Sequence, residues 1–261
     1  MMTLYFKHIK MLWKSQLQYR GSFLLLCVGQ FFVPFVVFAG MYFLFQRFQH
    51  INGWQFSEVL LCFGMIHMAF ALSECFVRGF DAFSGLIVRG EFDRILTRPR
   101  GIVLQVLGSK FEFTRIGRLA QSIAVLIYGL SIATIQWTFL KILLFILMLI
   151  SGIFVFSGVF ILGATLSFWT IQGLEITNMF TDGGRELNQY PLGIYKKWVK
   201  TFFTFVIPFG CVNYYPMLYI LDRTSGHDGL YILAPLLGIL FIIPALMAFG
   251  FGVKHYKSTG S

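Results

Sequence analysis

Histidines, carboxylates and cysteines are the groups in this 261-residue chain that could bind a metal or move a proton, and their spacing supports neither task. The five histidines, His8, His50, His67, His227 and His255, include no H-E-x-x-H pair. No G-x-S-x-G elbow presents a nucleophilic serine. A phosphate loop of the form G-x-x-x-x-G-K-[ST] needs a Gly-Lys pair, and none is present, so the chain carries no Walker-type ATPase of its own. Cys27, Cys62, Cys75 and Cys211 lie in or beside apolar runs without a C-x-x-C pair. They read as small buried apolar residues, not as a zinc site or a disulfide framework. Glu74, Arg78 and Asp81 are expected to form an interfacial ion cluster, because a charge at mid-membrane costs about 2.5–3.5 kcal/mol on insertion scales. His67 is expected in a helix-packing or water contact. No string of acids occupies the middles of the apolar runs, so no proton or sodium relay is visible. The reading is a non-enzyme that binds no cofactor itself and, if driven, is driven by something outside the chain.

The elements that hold these residues are long and apolar. Hydrophobic residues make up 57% of the sequence and charged residues 12%, with 32 phenylalanines. A soluble domain has roughly 25% charged residues, so lipid must replace water around most of the surface. The net charge of +10 is spread between apolar runs, which is a topology signature and not a nucleic-acid patch. The amino terminus is not a cleavable signal, since Lys7, Lys10, Lys14 and Arg20 precede a run long enough to span and stay. The fold class predicted is an all-α integral membrane protein, one transmembrane domain over 1–261. Six spans are expected near 22–45, 56–76, 119–140, 142–171, 201–221 and 230–253. Pro34 is expected to kink the first, and the fourth is long enough to tilt or break.

Orientation follows from Lys and Arg. With the amino terminus inside, eighteen of the 21 basic residues fall on inner segments. Lys7, Lys10, Lys14 and Arg20 precede the first span. Arg78, Arg89, Arg94, Arg98, Arg100, Lys110, Arg115 and Arg118 lie between the second and third. Arg185, Lys196, Lys197 and Lys200 lie between the fourth and fifth, and Lys254 and Lys257 follow the sixth. Only Arg47, Lys141 and Arg223 fall outside. Both termini are therefore expected in the cytoplasm.

Three segments do not span. Residues 1–20 predict an amphipathic interfacial helix, with Met2, Phe6, Ile9 and Trp13 on one face and Lys7, Lys10 and Lys14 on another, meeting anionic lipid headgroups. In the loop from Val77 to Phe113, residues Glu91, Phe92, Asp93, Arg94, Ile95 and Leu96 predict a short helix. Glu91 and Asp93 favour its start, Arg98 its end, and Pro99 stops it. Phe92, Ile95 and Leu96 share one face. That face either docks on a partner or belongs to a solvated linker, and the residues alone leave both open. In the loop from Thr181 to Trp198, Gly183 and Gly184 permit a sharp turn, and Tyr195, Lys196, Lys197 and Trp198 read as an interfacial belt.

Three runs carry a resemblance: GEFDRILTRP from Gly90, YPLGIY from Tyr190, and FFTFVIPFGCVNYYP from Phe202 to Pro216. In order and spacing the chain resembles the ABC type-2 exporter permeases over nearly its whole length, with Phe92 where Leu is commoner. The resemblance implies that residues 1–20 are the connecting helix. It implies that Glu91, Phe92, Asp93, Arg94, Ile95, Leu96 and Arg98 form the coupling helix that docks on a cytoplasmic ATPase. It also implies that Pro208, Asn213, Tyr214, Tyr215 and Pro216 lie near the outer end of the fifth span, among short re-entrant helices.

The resemblance further implies two ABC ATPase subunits, which bind the ATP and Mg, and a second six-span permease, either the same chain or a related one. The expected location is the bacterial plasma (inner) membrane. A pathway lined by Phe, Met and Tyr would suit an apolar or amphiphilic cargo such as a lipid, drug or peptide. Two other readings stand beside this one. One is a non-transporting sensor or scaffold on the same fold. The other is a membrane enzyme acting on lipids or peptides, for which no cluster of polar catalytic residues is seen.

Overall fold

The computed structural model describes residues 2–170, 173–224, 226 and 228–257, the side chains of 2–6, 173 and 174 excepted. Phe6 as a face residue and Ile171 as the end of the fourth span thus lie outside the described residues. The chain is helical from α1 (Met2–Gln16) and α2 (Arg20–Arg47), separated by a 3-10 turn at Leu17–Tyr19. The helix α2 runs unbroken past Pro34. A short hairpin follows, β1 (His50–Ile51) paired antiparallel with β2 (Trp54–Gln55). Asn52 (φ 48°) and Gly53 (φ 80°) make its turn, the Asn-Gly pair that two-residue hairpins favour because both positions need positive φ. Sequence reading missed this small departure from all-α.

Next come α3 (Phe56–Asp81), α4 (Phe83–Val88), α5 (Glu91–Leu96) and α6 (Ile102–Leu107). The Gln55 side chain and Glu58 form a capping box that starts α3. Then follow α7 (Ile116–Ile132), α8 (Phe139–Leu166), α9 (Gly173–Asn188), α10 (Lys197–Phe205), α11 (Tyr215–Ile220), α12 (Asp228–Leu240) and α13 (Ile242–His255).

The bundle is built around α3, which is buried along most of its length. Its amino-terminal end meets the hairpin, and its carboxy-terminal end meets α4–α6. These are called the hairpin end and the α5 end below. Against α3, α7 runs antiparallel: Arg118 binds Glu74 near the α5 end, and Gly129 abuts Leu60 near the hairpin end. A Cβ at Gly117 would collide with the Cys27 carbonyl oxygen, so α2 and α7 touch backbone to backbone. The buried apolar residues fall into two clusters. The one toward the α5 end is rich in phenylalanine, including Phe70, Phe80, Phe83, Phe92, Phe156, Phe160 and Phe249.

Among the described residues, four helical stretches are long and apolar enough to cross a membrane: Lys7–Arg47, Phe56–Val88, Phe139–Leu166 and Asp228–His255. A fifth is counted if Lys197–Phe205 and Gly210–Ile220 are one span, but these two are bent by 91°. The expected third span, 119–140, ends early. Its helix α7 has 17 residues, about 25 Å at 1.5 Å per residue, and stops at Ile132. The boundary with α8 lies at 133–138, where Thr138 caps α8 by accepting from the Lys141 backbone N–H. The chain turns less apolar there, with Thr134, Gln136 and Thr138, and the Thr138 cap starts the next helix.

The fifth predicted span, 201–221, is not one straight helix but the two parts of this bent pair. Gly183 and Gly184 lie inside α9, not in a turn. The small residue at 184 is needed because a Cβ there would stand 2.8 Å from the Phe209 ring. Thr177 packs on Gly163 of α8, and Asn188 shares Asn213 with Cys62 of α3. Thus α9 climbs from the α5 end toward the hairpin end, antiparallel to α8. The chain has therefore reached the hairpin end before α10 begins. Lys200 lies over the Tyr214 ring at 4.6 Å, and Tyr214 lies against Trp54 of β2. Lys196, Lys197 and Lys200 thus belong to the hairpin end, opposite to the sequence assignment. With Arg47, Lys141 and Arg223 that end holds six basic residues, Arg185 lies between the ends, and the α5 end keeps fourteen. Among the described residues, six stretches run lengthwise along the bundle, α2, α3, α7, α8, α9 and α12–α13. Among the described residues, α1 and the end of α13 lie at the α5 end, where Trp13 meets Phe113 and Tyr256 meets Phe92.

Candidate functional site

The α5 end is where the chain's charged residues gather. Gly90 takes a left-handed conformation (φ 66°), which turns the chain from α4 into α5. The helix has the bounds the sequence predicts, Glu91–Leu96. Its apolar face does not. Phe92 is fully buried, edge to face with Phe83 and Tyr256 at 5.0 and 4.9 Å and tilted on Phe168 at 5.6 Å. Ile95 is also buried, and of the three expected docking residues only Leu96 is exposed. An aromatic cluster of Phe83 from α4, Phe168 just after α8 and Tyr256 just after α13 claims that face first.

Apart from Leu96 and Pro99, what α5 and the loop after it leave outside is polar. Arg94, Thr97, Arg98, Pro99 and Arg100 are exposed, and Asp93 is half-buried. Gln105 of α6 donates to the carbonyls of Ile95 and Arg100, both at 3.1 Å, and so fastens the loop after α5. Arg89 donates to Glu91 at 2.8 Å, which holds the Glu91 carboxyl below its ordinary range and the Arg89 guanidinium above its own. Burial raises the Tyr256 hydroxyl, and the neighbouring Asp93 carboxyl raises it further. The helix α6 is pressed onto α3, since a Cβ at Gly79 would overlap the Val106 carbonyl oxygen. Between α1, α4, α5 and α6 lies a cleft of about 820 Å³.

The helix α1 exposes Lys7, Lys10 and Lys14 and turns Ile9 and Trp13 partly inward. Trp13 stands edge to face with Phe113 (4.8 Å) and Phe23 (5.9 Å). Gln16 fixes the helix by donating to the Phe111 carbonyl at 2.7 Å and accepting from the Phe113 N–H at 3.2 Å.

Just inside the α5 end, the ion cluster read from Glu74, Arg78 and Asp81 is present and larger than predicted. Arg78 binds Asp81 at 2.7 Å, Glu74 at 3.3 Å and Glu112 at 2.8 Å. Arg115 and Arg118 also bind Glu74, and Gln30 accepts from Arg115 at 2.6 Å and Arg118 at 3.2 Å. Three arginines thus meet three carboxylates, which is how buried charge is tolerated. Arg118 and Arg185 both lie over the Phe70 ring, at 5.4 and 4.9 Å, so α7 and α9 share an aromatic partner on α3.

At the hairpin end, α10 and α11 form a bent pair whose turn carries Pro208 and Phe209. Phe209 packs on Phe156 of α8, deep in the bundle. A π-helical turn at Gly210–Tyr214 returns the chain outward. Asn213 is buried there and donates to the carbonyls of Cys62 (3.2 Å) and Asn188 (2.9 Å), tying this turn to α3 and α9. Tyr214 contacts Trp54, Tyr215 contacts Tyr231 at 5.5 Å, and Pro216 lies in the first turn of α11. Asp222 and Arg223 then reach back to Lys141 and Glu58, both at 2.7 Å. Sequence reading missed Gln16, Gln30, Gln105 and Tyr256. Uncharged polar residues carry no periodic signal, and only the fold brings their partners near.

A family model described as ABC-2 family transporter protein matches residues 31–260. No curated protein and no solved structure matches. The match covers most of the chain, which therefore belongs to the ABC-2 transporter family and is a multi-pass membrane protein. Membrane subunits of this family work with ABC ATPase subunits.

Proposed function

We propose that this chain is one permease half of an ATP-driven exporter. It would cross the bacterial plasma membrane six times, with its α5 end and both termini in the cytoplasm. The six lengthwise traverses support that count, with α9 as the fifth crossing. The short, polar helix α9 is tolerated at bilayer depth because α3 and α8 cover one of its sides. The excess of Lys and Arg at the α5 end supports the sidedness.

The observation that carries the reading, beyond family membership, is the position of α5. It is rooted by Phe92 in the aromatic cluster that joins α4, α8 and α13, and it displays its charged side outward. Two ATPase copies would bind there, with their ATP and Mg. Their closure would move α5 and, through the rigid aromatic contacts, the helices that bound the pathway. A second permease, a copy or a relative, would complete the pathway, and the cargo would be apolar or amphiphilic. The bent pair α10–α11 would dip into the membrane from outside, with protein covering its non-helical backbone.

The test is purification of the tagged chain from its native membrane with whatever it retains. An ABC ATPase and a six-span subunit in the complex, with ATP-dependent movement of an amphiphile in vesicles, is the expected result. A chain that retains no ABC ATPase would count against the assignment.

A further inference from the structure

Lys196, Lys197 and Lys200 stand against the charge rule. They belong to the hairpin end, and with that end outside the cell they are on the side that Lys and Arg ordinarily avoid. Ion pairing does not explain them. Among the described residues, no carboxylate lies within ion-pair distance of any of the three. Glu58 and Asp222 are taken at 2.7 Å by Arg223 and Lys141. Lys196 and Lys197 are exposed. Lys200 is half-buried and held by aromatic rings: its ammonium lies 4.6 Å from the Tyr214 ring and 5.6 Å from the Tyr215 ring, and donates to the Tyr214 hydroxyl at 3.4 Å. Ring contacts of this kind fix the place of a positive charge without neutralising it.

The helix beside these charges is two-faced. Trp198 and Phe205, seven residues apart, share one face of α10 and are 70% and 81% exposed. The opposite face is fixed to the protein, where Phe203 packs on Phe209 and Thr204 is buried. The helix meets the outward-running stretch Gly210–Ile220 at 91°, so it lies across the bundle and not along it. A helix in this attitude, with bare aromatic rings on one face and lysines beside them, rests in the plane of a bilayer surface. Its rings enter the acyl boundary while its lysines stay at headgroup level. We infer that α10 is a lipid-binding element, and that Lys196, Lys197 and the ring-held Lys200 take the headgroup of an anionic phospholipid. A zwitterionic headgroup brings its own cation and would leave the lysines uncompensated. An acidic protein loop would answer the lysines but not the bare aromatic face. The outer leaflet is named by the sidedness proposed above; the binding itself needs only that the hairpin end meets a bilayer surface.

The test places a photo-crosslinking amino acid at Thr201, an exposed position between Trp198 and Phe205, in the full-length chain. The protein is purified into nanodiscs of phosphatidylcholine mixed with phosphatidylglycerol, and the lipid adducts are identified by mass spectrometry. Relative to its share of the disc, phosphatidylglycerol should be captured in excess, by about fivefold for each lysine engaged. In Lys196→Gln/Lys197→Gln/Lys200→Gln the excess should vanish while both lipids are still captured. In Lys196→Arg/Lys197→Arg/Lys200→Arg it should be kept. Helicity is measured for each variant, and the wild-type comparison decides by itself should the glutamine variant fail to fold. Equal capture of the two lipids by the wild-type chain overturns the inference. So does an excess that survives in the glutamine variant, an excess lost equally in both variants, or capture of protein in place of lipid. None of these results depends on an ATPase or on transport, so the permease reading stands or falls separately, on the co-purification described above.

Discussion

Phe92 and Tyr256 meet edge to face with ring centroids 4.9 Å apart, joining a six-residue helix in the middle of the chain to the residue that ends its last helix. Phe168, from the segment after α8, touches both rings. Any displacement of α5 is thus delivered to α8 and α13 through packed aromatic contacts, which transmit strain because they have no slack.

Truncating that root should be costly. Phe92→Ala is expected to lose about 3–5 kcal/mol, as large core deletions do, and Phe92→Leu roughly 1–1.5 kcal/mol. Thermal unfolding of the purified protein in detergent would measure both. If Phe92→Ala unfolds at the wild-type temperature, the aromatic cluster is not the anchor of α5.

The side on which Lys197 lies distinguishes the structure from the charge count. Cysteine placed at Lys197 should react with an impermeant thiol reagent from the same side as cysteine placed at Gln49 beside the hairpin. Three of the native cysteines are buried and Cys27 is partly so, which keeps the background low. Reaction of the two sites from opposite sides would restore the straight fifth span.

Asn213 is the polar pin of the bent pair. Asn213→Ala removes the side-chain N–H donor that the Cys62 and Asn188 carbonyls share, and should cost about 1–3 kcal/mol. Asn213→Asp has the same shape but sets an acceptor against two acceptors, and should be worse. Limited proteolysis near Val206 should accelerate in both variants. Unchanged cleavage would mean that Phe209 alone holds the turn.

The Arg89–Glu91 pair sets a pH dependence of known sign. Its folded-state carboxyl lies below the ordinary carboxylate range, so the contact is complete from that range upward and is lost only as pH falls through the depressed value. Across neutral pH the start of α5 should be insensitive. Arg89→Ala should move the Glu91 titration back up toward its ordinary value without changing the unfolding temperature measurably, since the pair is exposed. Carboxyl titration by infrared or NMR reads the shift.

The amino acids alone determined that this chain lives in lipid as helices, because apolar length and missing charge admit no other solvent. They also set the limits of α5, because acids favour one terminus and Pro99 forbids the other. Local chemistry was enough in both cases. The expected fifth span was a different matter. A hydropathy profile records what lipid would accept, so it chose the apolar stretch from Thr201 to Leu221 and passed over α9 with its Glu175, Asp182, Arg185 and Glu186. Only the tertiary structure shows that this stretch is bent by 91° and that α9 lies along the bundle beside it. Protein on one side of α9 shields Arg185, which rests on Phe70, while the apolar stretch bends back on itself to bury Phe209. Whether a helix meets lipid or another helix is decided by its neighbours, and its neighbours are not written in its own residues.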